Sequence, residues 1–205
     1  MSLLAKCPVI PVVVLDDPSQ ARPLGQALLD GGIDVVEVTL RTSAGLPGIT
    51  AMADLPGLTV GAGSVLLPEQ VGQVADAGAR FVVSPGVSTE VVTRAQALGL
   101  PALPGVATAS DLMTATALGL TEVKFFPAGL LGGPAAIKAL AAPFGGMTFL
   151  PSGGVSAANM ADYLALPAVP AVSGTWMAGP ELLREGRWAE ITSLSAAALR
   201  TTRTV

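Results

Sequence analysis

Val35-Val36-Glu37-Val38-Thr39-Leu40-Arg41 is a β-branched, apolar run broken at alternate positions by residues that are costly to bury. Strand side chains alternate with a period of two, so Glu37, Thr39 and Arg41 share one face and Val36, Val38 and Leu40 take the other. The apolar set needs a helical cover, and the polar set then looks inward. Similar short runs recur along the chain at 9–15, 35–40, 59–65, 81–85, 102–106, 122–127, 148–151 and 171–176, with starts 26, 24, 22, 21, 20, 26 and 23 residues apart. Each interval holds one strand, one helix of about 10–12 residues and two short loops. Helix signals fill the gaps. Ser19 precedes 21–29, Pro68 opens 69–77, Ser88 opens a helix stopped by Gly99, Ser110 opens one ending at Gly119, and Ser156 opens 157–166. Polar residues in front, proline in the first turn and glycine past the end are the expected asymmetry. Eight such units predict a single-domain α/β protein over residues 1–205, an eight-stranded parallel (β/α)8 TIM barrel. The alternative is a doubly wound open sheet with fewer strands.

Composition narrows the chemistry. The 205 residues include 11 Lys+Arg, 15 Asp+Glu, no His and one Cys, for a formal charge of −4. Without His there is no Ser-His-Asp or Cys-His machinery and no His-ligated metal. A lone Cys7 supports neither a disulfide framework nor a thiolate zinc site, and reads as a small buried residue. An acidic balance with two Trp, one Tyr and five Phe argues against nucleic acid. The apolar stretch 8–15 holds two prolines and is too short for a bilayer span, and no small-residue cleavage pattern follows it. A cytoplasmic protein acting on a small molecule is expected. Only 13% of residues are charged, against about 25% in an average soluble domain, which leaves apolar surface for an oligomer interface.

Within the sixth run, Glu122-Val123-Lys124-Phe125-Phe126-Pro127, Lys124 and Phe126 share what should be the interior face, and Glu122 is read as facing outward. Of three lysines, Lys6, Lys124 and Lys138, only Lys124 lies inside a strand. Burial disfavours the charged form of an amine, and a neutral amine in an apolar pocket attacks carbonyls to form Schiff bases. Glu37 beside it would move protons. The plainer alternative is an internal ion-pair network of Glu37, Arg41 and Lys124. Pro151-Ser152-Gly153-Gly154 after strand seven and Ser173-Gly174-Thr175 after strand eight supply backbone N–H groups and hydroxyls where barrels bind phosphate; a tight turn is the alternative. Gly61-Ala62-Gly63-Ser64 and Ser84-Pro85-Gly86 fall on the same rim and read equally as turn chemistry. Trp176 and Trp188 read as packing.

Taken together, Glu-Val-Thr-Leu-Arg (37–41), Gly-Ala-Gly-Ser-Val (61–65), Ser-Pro-Gly (84–86), Pro-Gly-Val (104–106), Lys-Phe-Phe-Pro (124–127) and Pro-Ser-Gly-Gly (151–154) occur in order at strand ends. The chain resembles the 2-keto-3-deoxy-6-phosphogluconate (KDPG) and 4-hydroxy-2-oxoglutarate (KHG) aldolases. The resemblance implies a class I, metal-independent aldolase without cofactor, a 2-keto acid substrate releasing pyruvate, and a homotrimer. It makes Lys124 the Schiff-base lysine and Glu37 the general acid/base. Arg41 and Ser64 would hold the pyruvate carboxylate, Pro85 and Phe126 would wall the pocket, and Gly153, Gly154 and Thr175 would bind the distal phosphate. The substrate it implies is the 6-phosphorylated gluconate-type acid. A 4-hydroxy-2-oxo acid, a 6-phosphogalactonate-type acid or an unphosphorylated sugar acid are the alternatives, with a non-catalytic metabolite-binding barrel beyond them. The chain departs from the family after strand one, where relatives often carry a basic residue and this chain has Leu15-Asp16-Asp17. A carboxylate there would repel a distal anion. The loop Ala128-Gly129-Leu130-Leu131 also lacks an acidic residue common in relatives.

Overall fold

The computed structural model describes residues 3–202. Eight strands alternate with helices: β1 (Val9–Val13), β2 (Val35–Thr39), β3 (Thr59–Gly63), β4 (Val82–Ser84), β5 (Ala102–Val106), β6 (Glu122–Phe125), β7 (Thr148–Pro151) and β8 (Val172–Gly174). Between and after them run α1 (Ala21–Asp30), α2 (Gly45–Ala53), α3 (Pro68–Asp76), α4 (Thr89–Ala97), α5 (Ala109–Ala117), α6 (Gly133–Ala141), α7 (Met160–Leu164), α8 (Pro180–Arg184) and α9 (Trp188–Thr202), with a 3-10 turn at Pro18–Gln20. The strands are parallel in the order β7-β6-β5-β4-β3-β2-β1-β8. The ring is drawn together between β7 and β8, where the Phe149 N–H donates to the Ala168 carbonyl at 2.8 Å and Ser173 Oγ to the Pro151 carbonyl at 3.5 Å. The expected (β/α)8 barrel is what forms.

Strands covered on both faces must be apolar throughout, and β1, β2 and β5 are buried at every position. Parallel partners in register point to the same side, which fixes the inner wall. Glu37 pairs with Val12 and Gly61, and Lys124 with Gly105 and Leu150. Three of the inner positions are bare because a neighbour fills the space. A Cβ on Gly61 would enter the Phe81 ring, one on Gly63 the Glu37 carboxylate, and one on Gly105 the Pro85 backbone. The Gly-Ala-Gly segment of β3 is therefore strand with its inner face cleared, not turn.

Several boundaries move. The helix expected from Ser110 starts two residues earlier because Thr108 is its cap: Thr108 Oγ1 accepts the Asp111 N–H at 3.2 Å, and the Asp111 carboxylate accepts the N–H of Thr108 at 2.9 Å. The helix expected over 157–166 shrinks to α7, since Asn159 Oδ1 accepts the Ser156 N–H at 2.8 Å and holds that stretch as a turn. Helix α2 gave no advance sign because it has no side-chain cap and carries Gly45, Pro47 and Gly48. Glu122 does not face outward. By the period of two it shares the inner face of Lys124, and its carboxylate accepts the N–H groups of Leu3 and Leu4 at 3.1 and 3.4 Å, closing the barrel floor with the N-terminal segment. Cys7 is buried there as expected, its Sγ donating to the Val9 carbonyl at 3.1 Å; burial pushes the thiol pKa up.

Candidate active site

Glu37 and Lys124 come from strands β2 and β6, well separated around the barrel wall, and meet inside it. Lys124 Nζ lies 3.1 Å from Glu37 Oε1 and 3.4 Å from Oε2, with the two residues 5% and 1% exposed. Gly63 is what makes this carboxylate position possible, since a side chain there would occupy it. The amine also sits over the Phe126 ring, 5.5 Å from its centroid, a cation–π distance. A primary amine and a carboxylate in direct contact and shielded from bulk water can exchange a proton without solvent.

Above them, β2 has ended at Thr39, so Arg41 is not an inner-wall residue as its alternation had suggested. It is exposed on the rim, and its Nε donates to Ser64 Oγ at 3.2 Å. Ser64 itself follows β3 in the left-handed region, φ 58°, a conformation a non-glycine residue holds only where its surroundings enforce it. Arg41 and Ser64 are thus brought together as expected, presenting a guanidinium fork suited to a carboxylate.

A cavity of about 260 Å³ opens at this mouth, with Arg41, Phe126, Ser152, Gly153, Gly154 and Thr175 among its walls. Val12, the register partner of Glu37, is another. Lys124 and Glu37 are not themselves on its wall; the cavity adjoins them through Phe126, whose ring the amine faces, and Val12. Gly153 and Gly154 both take positive φ, 83° and 84°, where a side chain would be strained; a Cβ on Gly153 would also stand 3.1 Å from the Phe126 ring. Among the described residues, no backbone carbonyl accepts the Gly153 or Gly154 N–H, so both amides remain available as donors. The hydroxyl-bearing Thr175 stands beside them, exposed. Pro85 lies apart from this cavity wall, its backbone packed where a Gly105 side chain would be.

Ser152 entered the reading of the sequence only as a member of the Pro151-Ser152-Gly153-Gly154 loop, not as a site residue in its own right. It is 5% exposed, lines the cavity, and extends the β6–β7 ladder through its N–H to the Phe125 carbonyl at 3.0 Å. The period of two from Leu150, the partner of Lys124, was the available signal.

An inner-wall lysine touching a carboxylate, with an arginine exposed on the rim and a glycine loop whose amides have no backbone partner, is an arrangement that suits Schiff-base lyases built on (β/α)8 barrels. The chain belongs to the KDPG and KHG aldolase family, whose model matches residues 1–194. It is 42% identical over 199 residues to the KHG/KDPG aldolase of Escherichia coli K12, covering 97% of this chain and 93% of that one. It is 43% identical over 199 residues to the 2-dehydro-3-deoxy-phosphogluconate aldolase of Pseudomonas aeruginosa, covering 97% and 90%. The KDPG aldolase of Legionella pneumophila, solved with pyruvate captured at low pH as a covalent carbinolamine, superimposes with a TM-score of 0.92 at 40% identity, covering 95% of each chain. The enzyme of Zymomonas mobilis, solved with 3-phosphoglycerate, gives 0.89 at 40% identity, covering 95% of this chain and 92% of that one. The protein is an aldehyde-lyase of class I, whose Schiff-base chemistry needs no metal.

Proposed function

We propose that the protein cleaves 2-dehydro-3-deoxy-6-phosphogluconate to pyruvate and glyceraldehyde 3-phosphate, with Lys124 as Schiff-base nucleophile and Glu37 as general acid/base. The 3.1 Å contact between these two buried side chains carries the reading. Lys124 Nζ adds to the C2 carbonyl, giving a carbinolamine that loses water to an iminium. Arg41, seated against Ser64, holds the adjacent carboxylate and fixes C2 over the amine. Glu37, through a water, takes the proton of the C4 hydroxyl. The C4–O electrons form the aldehyde carbonyl as the C3–C4 bond breaks, and that bond's electron pair passes into the iminium to give an enamine. Protonation of the enamine at C3 and addition of water at C2 then free pyruvate and restore the amine. Phe126 walls the reacting end, and Pro85 packs behind it against Gly105, the register partner of Lys124. The amides of Gly153 and Gly154 with the Thr175 hydroxyl take the far end of the substrate.

The reading includes a cytoplasmic homotrimer whose 205 residues form one domain. Its support is the chain's low charge together with exposed Leu66, Leu67, Met113 and Leu130, side chains that an interface would cover. Sedimentation equilibrium at three times the chain mass is the expected result.

Intact-mass analysis after incubation with pyruvate and borohydride tests the chemistry. One reduced pyruvate adduct, mapped to Lys124, is expected. No adduct on folded protein with pyruvate in excess would leave Lys124 and Glu37 as an ion pair and nothing more.

A further inference from the structure

The loop after β7 is held by its carbonyls. Ser152 continues the β6–β7 ladder, its N–H donating to the Phe125 carbonyl at 3.0 Å and its own carbonyl accepting the Ala128 N–H at 2.8 Å. Strand alternation would turn the next carbonyl toward β8. Gly153, at φ 83°, instead brings its carbonyl back to the β6 side, where it accepts the Gly129 N–H at 2.8 Å. The Gly154 carbonyl accepts from Nδ2 of Asn159 at 2.9 Å. A trans peptide is planar, so its N–H points opposite to its C=O. Three successive N–H groups, those of Gly153, Gly154 and Val155, are therefore aimed away from the donors that hold the loop. All three residues line the cavity, and among the described residues no backbone carbonyl accepts their N–H groups.

The holding donors are themselves fixed. Ala128 is fully buried, and its carbonyl accepts the N–H of Gly133, at the start of α6, at 2.9 Å. Gly129 lies flat against the loop. A Cβ there would stand 3.3 Å from Gly154 Cα and 3.4 Å from the Gly153 carbonyl oxygen, and one on Gly154 would stand 3.2 Å from Gly129 Cα. Gly129 is outside the left-handed region, so only this contact opposes a side chain. Asn159 is half-buried, and its Oδ1 accepts the Ser156 N–H at 2.8 Å while its Nδ2 serves Gly154. One side chain thus ties both ends of the turn over Gly154, Val155 and Ser156.

We propose that Gly129 and Asn159 are positioning residues for the distal end of the substrate, keeping the Gly153, Gly154 and Val155 amides aimed at its phosphate. Successive backbone N–H groups make a concavity for an anion, but only while their peptide planes are held. A side chain on Gly129 pushes the planes aside, and loss of the Asn159 amide frees the last of them to rotate. Ala128 and Gly129 follow Lys124 closely in the chain, so the loop that grips the far end is referenced to the strand that carries the nucleophile, which fixes the distance between the two. This rests on the aldolase reading above and concerns the far end of the same site.

The test measures KM and kcat for 2-dehydro-3-deoxy-6-phosphogluconate and 2-dehydro-3-deoxygluconate, inhibition of cleavage by inorganic phosphate, and pyruvate trapping by borohydride. Asn159→Ala and Gly129→Val should each raise KM for the phosphorylated acid about tenfold, and weaken phosphate inhibition by the same factor. Turnover of the unphosphorylated acid and pyruvate trapping, which do not use the loop, should stay within about twofold of the parent. Asn159→Asp keeps the acceptor for Ser156 and loses the donor to Gly154. It should therefore behave like Asn159→Ala, at about 0.5 M salt as well, where its added charge is screened. Gly145→Ala, with nothing within 4 Å of the added methyl, should match the parent throughout. Parental behaviour of Asn159→Asp, or unchanged KM and phosphate inhibition in folded Asn159→Ala, overturns the role of Asn159; the same in folded Gly129→Val overturns that of Gly129. An equal loss on both substrates marks general disruption and overturns the proposal, as does a parent with no preference for the phosphorylated acid. Each of these leaves the parent's pyruvate adduct, and with it the aldolase reading, standing. No adduct in the parent overturns both.

Discussion

Lys124 and Glu37 depend on each other for burial, yet the chemistry assigns them different losses. Lys124→Met removes the nucleophile and strands the Glu37 carboxylate at 1% exposure, so both the pyruvate adduct and cleavage should vanish. Stability should also fall by about 3–5 kcal/mol, the usual result of breaking one side of a buried pair. Glu37→Gln keeps an acceptor beside the amine and removes the base. Its adduct should still form on Lys124 while kcat drops by about 10²–10⁴, a split that mass analysis and steady-state kinetics read separately. An ion pair without catalytic role gives no such split, because neither variant would then trap pyruvate. These two residues were legible in the sequence because a charge inside a strand is conspicuous. Ser152 was not, since a serine is inexpensive to place anywhere and only the β6–β7 ladder shows it standing one rung above Lys124's partner Leu150.

At the scale of elements, β3 and α5 show what a linear reading loses. The sequence displays where Cβ atoms are missing in Gly61-Ala62-Gly63 but not what fills the space, so strand and turn looked alike. The Glu37 carboxylate fills the space beside Gly63. Gly63→Ala should lower kcat as well as the melting temperature, by displacing that carboxylate, with overpacking of about 1–3 kcal/mol. Gly145→Ala, where nothing lies within 4 Å of the added methyl, serves as the tolerated comparison. In α5 the cap is a reciprocal box between Thr108 and Asp111, and Ser110 was a decoy of the right residue type at the wrong place. Desolvation pushes the Asp111 carboxyl up, but the N–H groups of Ala107 and Thr108 and the Thr108 hydroxyl outweigh it, so its pKa ends below the ordinary 3.8. A carboxyl depressed on folding adds stability above its unfolded value and loses it as pH falls through the folded one. Asp111→Asn should therefore lower the melting temperature at pH 7, with the difference from the parent fading as the pH falls below the ordinary 3.8.

For the whole molecule, the eight-fold recurrence of short apolar runs made the barrel readable, because each strand must be apolar on both faces wherever it falls in the ring. How the barrel is closed at its floor was hidden, since it depends on contacts between residues 119 and 118 positions apart, Leu3 and Leu4 with Glu122. Strand β6 thus carries one charged group at each level of the inner face, Lys124 near the mouth and Glu122 two residues below. The lower one has no substrate to meet; it accepts two backbone N–H groups and holds Leu3 and Leu4, 5% and 0% exposed, across the floor. Losing an acceptor for a buried N–H costs about 1–3 kcal/mol, and exposing a buried leucine about 1.5–3 kcal/mol. Glu122→Ala should therefore lower the melting temperature markedly, and Glu122→Gln, which retains one carbonyl acceptor, by less. At 25 °C, below both transitions, the rate of pyruvate trapping per folded molecule should match the parent, because the reacting Lys124 and Glu37 lie a layer above Glu122. Equal melting temperatures for Ala and parent would mean that the apolar burial of Leu3 and Leu4 alone seals the barrel floor. A loss of trapping in a folded Glu122→Ala protein would instead make floor and mouth one cooperative unit.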